Sequence, residues 1–213
     1  MSIPGSASPL FLSTAGLPEI GDEYEGGFVA GYISQNADGV ATHGLIVAPA
    51  ASGYNGKSTL QYKTSTTATS GTTSVFDGAA NTSNMSNSTH PAANYCAGLS
   101  IGGYSDWYLP ARHELEIAYF NLKPTADSNS TGSGANSYAV PSRGSNYTSG
   151  NPARTSITVF QEGGTEAFNE DFHWTSTADS ASNAWRNYFG SGDQITKPKT
   201  NAHLVRAFRK FSV

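Results

Sequence analysis

The stretch GGYSDWYLPARHELEIAYFNLKP, residues 102–124, joins two kinds of sequence at a Leu-Pro step. Its first half combines glycine with aromatic residues, which favours a strand or turn that enters a core. In its second half apolar residues recur at helical spacing and predict one buried helix face. That face is formed by Leu115, Ala118, Tyr119 and Leu122. Pro124 is expected to end the helix, because proline cannot continue it.

The charged residues of this helix fall between the apolar ones and are expected to point to solvent. They are Arg112, Glu114, Glu116 and Lys123. Glu114 and Glu116 are two residues apart, which places them on different sides of a helix and disfavours shared acid–base chemistry. The join between the two halves is therefore expected to build the fold rather than to carry a catalytic site.

Two segments nearer the N-terminus predict a β-hairpin. Residues 26–34 and 40–48 are apolar and favour strands, and Asp38-Gly39 between them is a good turn step because both residues tolerate positive φ. A short strand is expected around LQYKT, residues 60–64.

A further helix is predicted to begin at Pro91, because proline fits the first helical position. Its apolar face would comprise Ala92, Tyr95, Cys96 and Leu99. Cys96 is expected to be a small core residue rather than a nucleophile. As the single cysteine of the chain it also excludes an intramolecular disulfide.

The C-terminal third predicts strands after a long irregular region. Residues 125–165 have loop composition, with SITVFQ (156–161) a possible strand or helix turn. Three strands are then expected, at FHWTSTA (172–178), AWRNYF (184–189) and AHLVRAFRKF (202–211), with GSGDQITKPKTN as the linker between the last two.

Composition fits a loop-rich β or α+β protein. Of the 213 residues 37% are hydrophobic and only 13% are charged, about half the usual charged share. Solubility must then come from Ser, Thr, Asn and Gly, which favour turns over helices. The net charge of −4 gives no global attraction to nucleic acid.

The N-terminal segment MSIPGSASPLFLSTAG lacks a basic region, and its apolar run is too short for a signal peptide. No apolar run reaches the length of a transmembrane helix. We therefore expect a protein that is made in the cytoplasm, is not exported by the general secretory route and does not insert into a membrane. Residues 1–21 are expected to form an extended arm.

No motif in the chain indicates an enzyme, a cofactor or a metal. The five histidines are scattered, are expected in loops or at the surface, and none has metal-ligand spacing with another or with Cys96. The segment DSNSTG imitates the start of a calcium-binding loop from Asp127, but its twelfth position is Tyr138 where a glutamate is required. Calcium is therefore not expected there.

Basic residues concentrate near the C-terminus. Six of the twelve are Arg186, Lys197, Lys199, Arg206, Arg209 and Lys210. Acidic residues crowd near the other end, at Glu19, Asp22, Glu23 and Glu25. The basic group could be a sheet edge that resists aggregation. Alternatively, it could bind an anionic ligand or the acidic segment of a neighbouring subunit.

Several motifs in fixed order resemble a known family. They are Trp-x-Leu-Pro-x-x-x-Glu-Leu from Trp107, Trp-Thr-Ser-Thr from Trp174, Ala-Trp at 184–185 and Val-Arg-Ala-x-Arg from Val205. This combination resembles the C-terminal domain of the bacterial collagen-like adhesin over roughly residues 22–213. The upstream IGDEYEGGFVAGYIS and ATHGLIVAP are similar to tail-fibre and other virion proteins of bacteriophages.

The resemblance implies a C-type-lectin-like fold. We expect one α+β domain over residues 22–213, with two helices on a twisted antiparallel sheet, preceded by the arm of residues 1–21. Trp107, Leu109, Leu115, Trp174, Trp185 and Phe208 are expected in the core. Family members often carry Ser or Thr at the position of Ala111. Without that hydroxyl we expect Glu114 to lack its capping partner, at a cost of about 1 kcal/mol.

The resemblance also implies a ligand surface on the last strands and their loops. Carried onto this sequence, the ligand-binding residues are Asn183, Arg186, Asn187, Tyr188, Asp193, Gln194 and Lys197. The carboxylate motifs of calcium-dependent lectins are not present around Asn151-Pro152, so calcium-bridged sugar binding is not expected.

The implied function is a phage fibre protein of the virion that binds a host-surface glycan or protein without a cofactor. The resemblance further implies a homotrimer and an arm that docks on other virion proteins. Two alternatives remain at this point. One is a capsid or tail decoration protein that binds other virion proteins, and the other is a polysaccharide depolymerase, which would need convergent carboxylates in a cleft.

Overall fold

The computed structural model describes residues 16–56 and 58–213. The helices are α1 (Ala50–Gly53), α2 (Gly78–Ser83), α3 (Pro91–Ala97) and α4 (Arg112–Leu122), with a 3-10 turn at Thr158–Phe160. The strands are β1 (Glu23–Tyr24), β2 (Gly27–Ile33), β3 (His43–Val47), β4 (Leu60–Gln61), β5 (Ala139–Val140), β6 (Phe172–Ala178), β7 (Asn183–Tyr188), β8 (Asp193–Pro198), β9 (Ala202–His203) and β10 (Phe208–Ser212).

The strands form three antiparallel sheets. The largest has the order β1-β2-β3-β10, with β5 also paired to β2. The second consists of β6, β7 and β8, and the third of β4 and β9. The mixed helical and antiparallel content confirms the α+β class. The expectation of two helices on one sheet is wrong in detail, because α1 and α2 are additional short helices. The C-type-lectin-like fold stays a prediction.

The predicted hairpin is confirmed as β2 and β3. Its turn is fixed by Asp38, whose carboxylate accepts hydrogen bonds from the Ser34 hydroxyl at 2.6 Å and from the Val40 amide at 3.0 Å. Gly39 follows with φ of +81°, a conformation that glycine adopts without a steric penalty. The helix from Pro91 and the short strand near residue 60 are confirmed as α3 and β4.

Two strand predictions near the C-terminus are wrong. The linker of residues 190–201 contains β8, which pairs with β7 along its whole length. Its polar composition had indicated a loop, but backbone pairing decides the structure of a strand that is only partly covered. Residues 202–211 also form β9 and β10 in different sheets rather than one strand.

In helix α4 the predicted apolar face is confirmed, but the prediction that the charged side chains point to solvent is wrong for three of them. Leu115, Ala118, Tyr119 and Leu122 are buried as expected. However, Glu114, Glu116 and Lys123 are also buried, with 0%, 0% and 1% exposure. Loop segments cover the side of the helix that the sequence assigned to solvent, and they supply the hydrogen bonds that these side chains require.

Glu114 is one of these buried charges, and it caps α4 without a hydroxyl at Ala111. Its carboxylate accepts hydrogen bonds from the amides of Ala111 at 2.7 Å and Gly78 at 3.1 Å and from the Tyr108 hydroxyl at 3.0 Å. Burial raises the pKa of Glu114 to about 7, although the Ala111 amide lowers it in part. One half of a capping box therefore persists, and it also joins α2 to α4.

Glu116 organises the irregular region of residues 125–165. Its carboxylate accepts hydrogen bonds from Asn136, Arg143 and the Tyr147 hydroxyl. In the same region the Asn129 side chain donates to the Pro152 carbonyl at 2.9 Å. The absence of long strands there was predicted correctly, and SITVFQ contains the 3-10 turn. Side-chain hydrogen bonds replace regular structure in this region.

The core contains five of the six residues expected there. Trp107, Leu109, Leu115, Trp174 and Phe208 have at most 2% exposure, and Cys96 has 0%. Trp185 is only half-buried, which corrects its assignment to the core. Within residues 16–56 and 58–213, no helix has the length and apolar character needed to cross a membrane.

The predicted arm is described only in part. Leu17 packs against the core, and the Tyr32 hydroxyl donates to the Pro18 carbonyl. The Gly21 amide donates to the Val29 carbonyl at 2.8 Å. These residues therefore lie against the large sheet, whereas residues 1–15 of the predicted arm lie outside the described residues.

Candidate functional site

The seven predicted ligand-binding residues all lie on β7 and β8, but on two different faces of their sheet. Residues that pair directly across antiparallel strands point to the same face, and successive residues alternate. The pairs Ala184–Lys197, Arg186–Ile195 and Tyr188–Asp193 share one face. The pairs Asn183–Pro198, Trp185–Thr196 and Asn187–Gln194 share the other. The structure therefore separates Arg186, Tyr188, Asp193 and Lys197 from Asn183, Asn187 and Gln194.

We call the first group, together with Phe172, Ile195 and His203, the outer face. Arg186 is at its centre, with its guanidinium carbon 3.4 Å from the centroid of the Phe172 ring. Its Nη1 donates to His203 Nε2 at 3.0 Å. Because an arginine only donates, Nε2 of His203 must be unprotonated. Burial lowers the pKa of His203 to about 4, with the charge of Arg186 adding to the effect.

Arg186 was expected to point outward, but it has only 6% exposure. Phe172 and His203 cover it, and burial lowers its pKa. Its Nε has no hydrogen-bond partner among the described residues. Arg186 therefore supports the aromatic surface from below rather than presenting its guanidinium to solvent.

The accessible part of the outer face is mixed aromatic, aliphatic and charged. The rings of Phe172 and Tyr188 lie 4.9 Å apart, and both are half-buried, as is Ile195. Lys197 is exposed at the edge. The carboxylate of Asp193 accepts a hydrogen bond from Ser130 at 3.2 Å, which ties the face to the irregular region. This arrangement can bury a ligand surface against rings and offer one exposed cation, Lys197.

We call the second group, together with Arg112, Trp185 and Thr196, the helix face, because the first residue of α4 lies on it. Arg112 places its guanidinium carbon 3.9 Å from the Trp185 ring centroid and donates from Nε to Gln194 Oε1 at 2.7 Å. Gln194 and Asn187 were expected at the surface, but they have 7% and 1% exposure. Helix α4 and the loop that carries Ser133 cover them. Asn183 is half-buried at the end of β7.

The basic C-terminal residues do not form one free surface. Arg206 pairs with Glu166 at 2.7 Å, Arg209 with Asp106 at 2.8 Å and also with Glu25, and Lys210 with Asp77 at 2.9 Å. Lys199 has 0% exposure and donates to the Ala181 carbonyl. The Arg209–Glu25 contact also shows that part of the acidic N-terminal group is neutralised within the chain itself. The predicted charge asymmetry therefore gives little support for an acidic neighbouring subunit.

His173 corrects the expectation that all five histidines lie in loops or at the surface, because it is on strand β6 with 1% exposure. His90 lies in the loop before α3, as expected, although it has only 4% exposure. His173 Nδ1 donates to the Asp171 carbonyl, so Nε2 accepts from the Tyr54 hydroxyl at 2.8 Å. Burial lowers the pKa of His173 to about 3. This imidazole is a core residue of β6 with both nitrogens satisfied.

A separate cleft of about 670 Å³ lies between α1 and the loop of residues 162–170. Tyr54 and Phe168 contribute to its wall, and the carboxylates of Glu162 and Glu170 lie along it. Both glutamates are exposed. The pKa of Glu170 is raised by partial burial and by the charge of Glu162. In the described part of the chain, no three His, Cys, Asp or Glu side chains come together as a metal site.

Sequence reasoning missed two residues of the helix face. Arg112 was assigned to solvent and Trp185 to the core, yet they stack on each other at the surface. The signal was available in principle, since Trp185 is two residues from both Asn183 and Asn187 along β7 and therefore shares their face. Assigning it correctly required the position of α4, which only tertiary structure gives.

Comparison with protein families places most of the chain in one of them. The family model described as the Lcl C-terminal domain matches residues 54–209. This range includes α2 to α4, the irregular region and both faces of the β6–β8 sheet. No curated protein sequence matches the chain.

Proposed function

This chain belongs to the Lcl C-terminal domain family, a domain of collagen-like adhesins, and we propose that it binds a cell-surface receptor through the outer face. The family indicates an adhesin-like, binding role. The proposed receptor is a glycan or a protein, bound non-covalently, without a cofactor and without a catalytic step.

The observation that carries the proposal is the contiguous, half-covered surface of Phe172, Tyr188 and Ile195 beside the exposed Lys197. Rigid aromatic side chains give large contact area at low cost in conformational entropy. Such residues dominate binding energy when a partner covers them. A lone charge at the rim adds orientation more than affinity.

Arg186 and His203 contribute by holding that surface in place. The guanidinium of Arg186 is stacked against Phe172 on one side and fixed by His203 through Nη1. A cation held over an aromatic ring is stabilised by the ring quadrupole. The aromatic surface is therefore formed before a receptor arrives, which reduces the entropy lost on binding.

The finer parts of the proposal rest on the sequence resemblance to tail-fibre proteins. They are a place in a phage virion, a homotrimeric assembly and docking through the N-terminal arm. A decoration protein that binds only other virion proteins is one alternative, and a polysaccharide depolymerase is the other. The support for the decoration role from the charge asymmetry is reduced, because Arg209 already pairs with Glu25.

The test is adsorption of fluorescently labelled protein to a panel of bacterial cells and to a glycan array. We expect Tyr188→Ala to weaken adsorption roughly thirtyfold, the size of a hot-spot loss of about 2 kcal/mol. Tyr24→Ala is the matched control, since Tyr24 is a tyrosine on β1 with 36% exposure. Wild-type protein that adsorbs to no cell and to no glycan would contradict receptor binding and favour the decoration role.

A further inference from the structure

The cleft between α1 and the loop of residues 162–170 has no role in the receptor contact proposed for the outer face. Its volume of about 670 Å³ lies within the range of about 300–1,000 Å³ that is typical of ligand sites. Ala51, Tyr54 and Pro124 give part of its wall an apolar character, and two glutamates of the loop add charge. The cleft therefore combines apolar surface with a small number of charged groups, as ligand sites do.

The two walls of the cleft are joined by hydrogen bonds. Glu166 accepts from the Ala50 amide at 2.7 Å and so connects the loop to α1. The Asn169 side chain donates to the Gly56 carbonyl at 2.9 Å, and the Asn169 amide donates to the Tyr54 hydroxyl at 2.9 Å. The shape of the cleft is therefore set before a ligand arrives, which reduces the entropy lost on binding.

Glu162 and Glu170 are the charged side chains among the described residues that line the cleft. Both are exposed, and neither forms a salt bridge with another described residue. Partial burial raises the pKa of Glu170, and the charges of Glu162 and Asp127 raise it further. These carboxylates are thus close enough to repel each other, and a cation placed between them would relieve the repulsion.

The rest of the accessible surface has the same sign, because the chain buries most of its cations and exposes most of its anions. Arg154 and Lys197 are the exposed basic residues in the described ranges. Arg206, with its guanidinium carbon 5.3 Å from the Tyr54 ring centroid, is covered and is neutralised by Glu166. A surface of one sign attracts partners of the opposite sign. The exposed carboxyl side chains are those of Glu19, Asp22, Glu23, Asp38, Asp106, Asp127, Glu162, Glu170, Asp171 and Asp179.

We propose that this cleft binds an arginine side chain presented by a partner protein. The guanidinium lies between the carboxylates of Glu162 and Glu170, and its methylene stem covers Tyr54 and Ala51. Long basic side chains bury their stems along apolar surface in this way. Arginine fits better than lysine, because its planar guanidinium carries five donors and can bridge two carboxylates, whereas an ammonium is a compact point charge.

The experiment is an NMR titration of the isotopically labelled full chain with three pentapeptides of the form Gly-Gly-X-Gly-Gly, blocked at both ends. The central residue X is arginine, citrulline or lysine, and citrulline has the shape of arginine without its charge. We expect saturable binding of the arginine peptide. The citrulline peptide should bind roughly tenfold more weakly, the factor for two lost ion pairs at an accessible site. The lysine peptide should bind several-fold more weakly than the arginine peptide.

A pair of matched double variants places the contact in the cleft. Glu162→Gln with Glu170→Gln removes both charges and keeps the side-chain shapes, and it should weaken binding of the arginine peptide roughly tenfold. Glu19→Gln with Glu23→Gln is the control, because it makes the same change in net charge at two exposed glutamates that do not line the cleft. The control should bind the arginine peptide as the wild type does.

Lys57 follows Gly56 in the sequence and lies outside the described residues, so the titration is repeated with Lys57→Gln to remove competition from that side chain. The proposal is overturned if neither the wild type nor Lys57→Gln binds the arginine peptide. It is also overturned if the citrulline or lysine peptide binds equally well, or if the control pair weakens binding as much as the cleft pair. None of these results bears on adsorption through Tyr188, which is tested by changes on the outer face.

Discussion

Arg186 and Asn187 are adjacent in the sequence, yet their side chains lie on opposite faces of β7. Arg186 pairs with Ile195 and stacks on Phe172, whereas Asn187 pairs with Gln194 beneath α4. This relationship divides one set of predicted binding residues into two surfaces of different chemistry. One surface is aromatic and partly open, and the other consists of amide side chains buried beneath α4.

The two neighbours are expected to respond oppositely to substitution. Arg186→Gln loses the stacking on Phe172 and the bond to His203, and should lower the free energy of unfolding by about 1–2 kcal/mol. Asn187→Leu removes buried amide atoms that have no protein partners, and should leave stability unchanged or raise it by up to about 1 kcal/mol. Urea denaturation measures both. A loss of stability in Asn187→Leu as large as that in Arg186→Gln would show that the amide has a partner.

The buried carboxyl of Glu114 is expected to make the folded protein less stable as the pH rises. Burial raises its pKa from 4.5 to about 7 in the folded protein, so the folded state binds this proton more tightly than the unfolded state. The resulting stabilisation is complete below pH 4.5 and is lost as the pH rises through 7, by at most about 3 kcal/mol.

The side chain in Glu114→Gln cannot ionise, so this variant should not show the loss of stability between pH 4.5 and pH 7. Its Oε1 can accept from the Ala111 and Gly78 amides while Nε2 donates to the Tyr108 hydroxyl, so the cap is kept. Melting temperatures between pH 4 and pH 8 test this. Wild-type and variant curves that remain parallel across the range would contradict the pKa shift.

His173 is expected to make the folded protein less stable as the pH falls. Burial lowers its pKa from 6.5 to about 3, so the unfolded state binds this proton more readily. Stability is then full above pH 6.5 and falls as the pH drops towards 3, by on the order of 4 kcal/mol. His173→Gln has no titrating group at this position. Its free energy of unfolding should therefore change less steeply with pH between pH 6 and pH 4 than that of the wild type. An unchanged slope would place the acid sensitivity elsewhere.

The pair of Arg206 and Glu166 is expected to be the salt bridge with the largest effect on stability. The Arg206 side chain has 0% exposure, and Glu166 also accepts from the Ala50 amide at 2.7 Å. Glu166→Ala leaves the guanidinium buried without its carboxylate and should cost about 3–5 kcal/mol. Glu162→Ala, at an exposed glutamate in the same loop, should stay within about 0.5 kcal/mol of the wild type. Equal effects of the two changes in urea denaturation would refute this assignment.

Sequence patterns predicted the elements whose apolar residues face a single core. The hairpin of β2 and β3, α3 and the buried face of α4 follow from period and turn chemistry that operate locally. The charged residues of α4 could not be placed in this way. Glu114 and Glu116 are satisfied by Gly78 and Arg143, which are distant in sequence, and no local rule predicts those contacts.

The sequence placed the predicted ligand-binding residues on the β7 segment and on a segment expected to be a linker, and it did not separate them into two faces. The strand prediction for β7 already implied that Arg186 and Asn187 point apart. The identity of β8 was missing, because DQITKP has the composition of a loop and forms a strand only through its pairing with β7. Without β8 the cross-strand pairs that define the two faces could not be derived.

The central claim is tested most directly by comparing the adsorption of two double variants. Each carries two changes, and the two pairs lie on opposite faces of β7 and β8. Tyr188→Ala with Lys197→Ala alters the outer face, and Asn183→Ala with Thr196→Ala alters the helix face. On cells or glycans that bind the wild type, we predict that the first pair abolishes adsorption and that the second retains it. Adsorption that survives the outer-face pair, or that is lost equally with both, would contradict a receptor contact on the outer face.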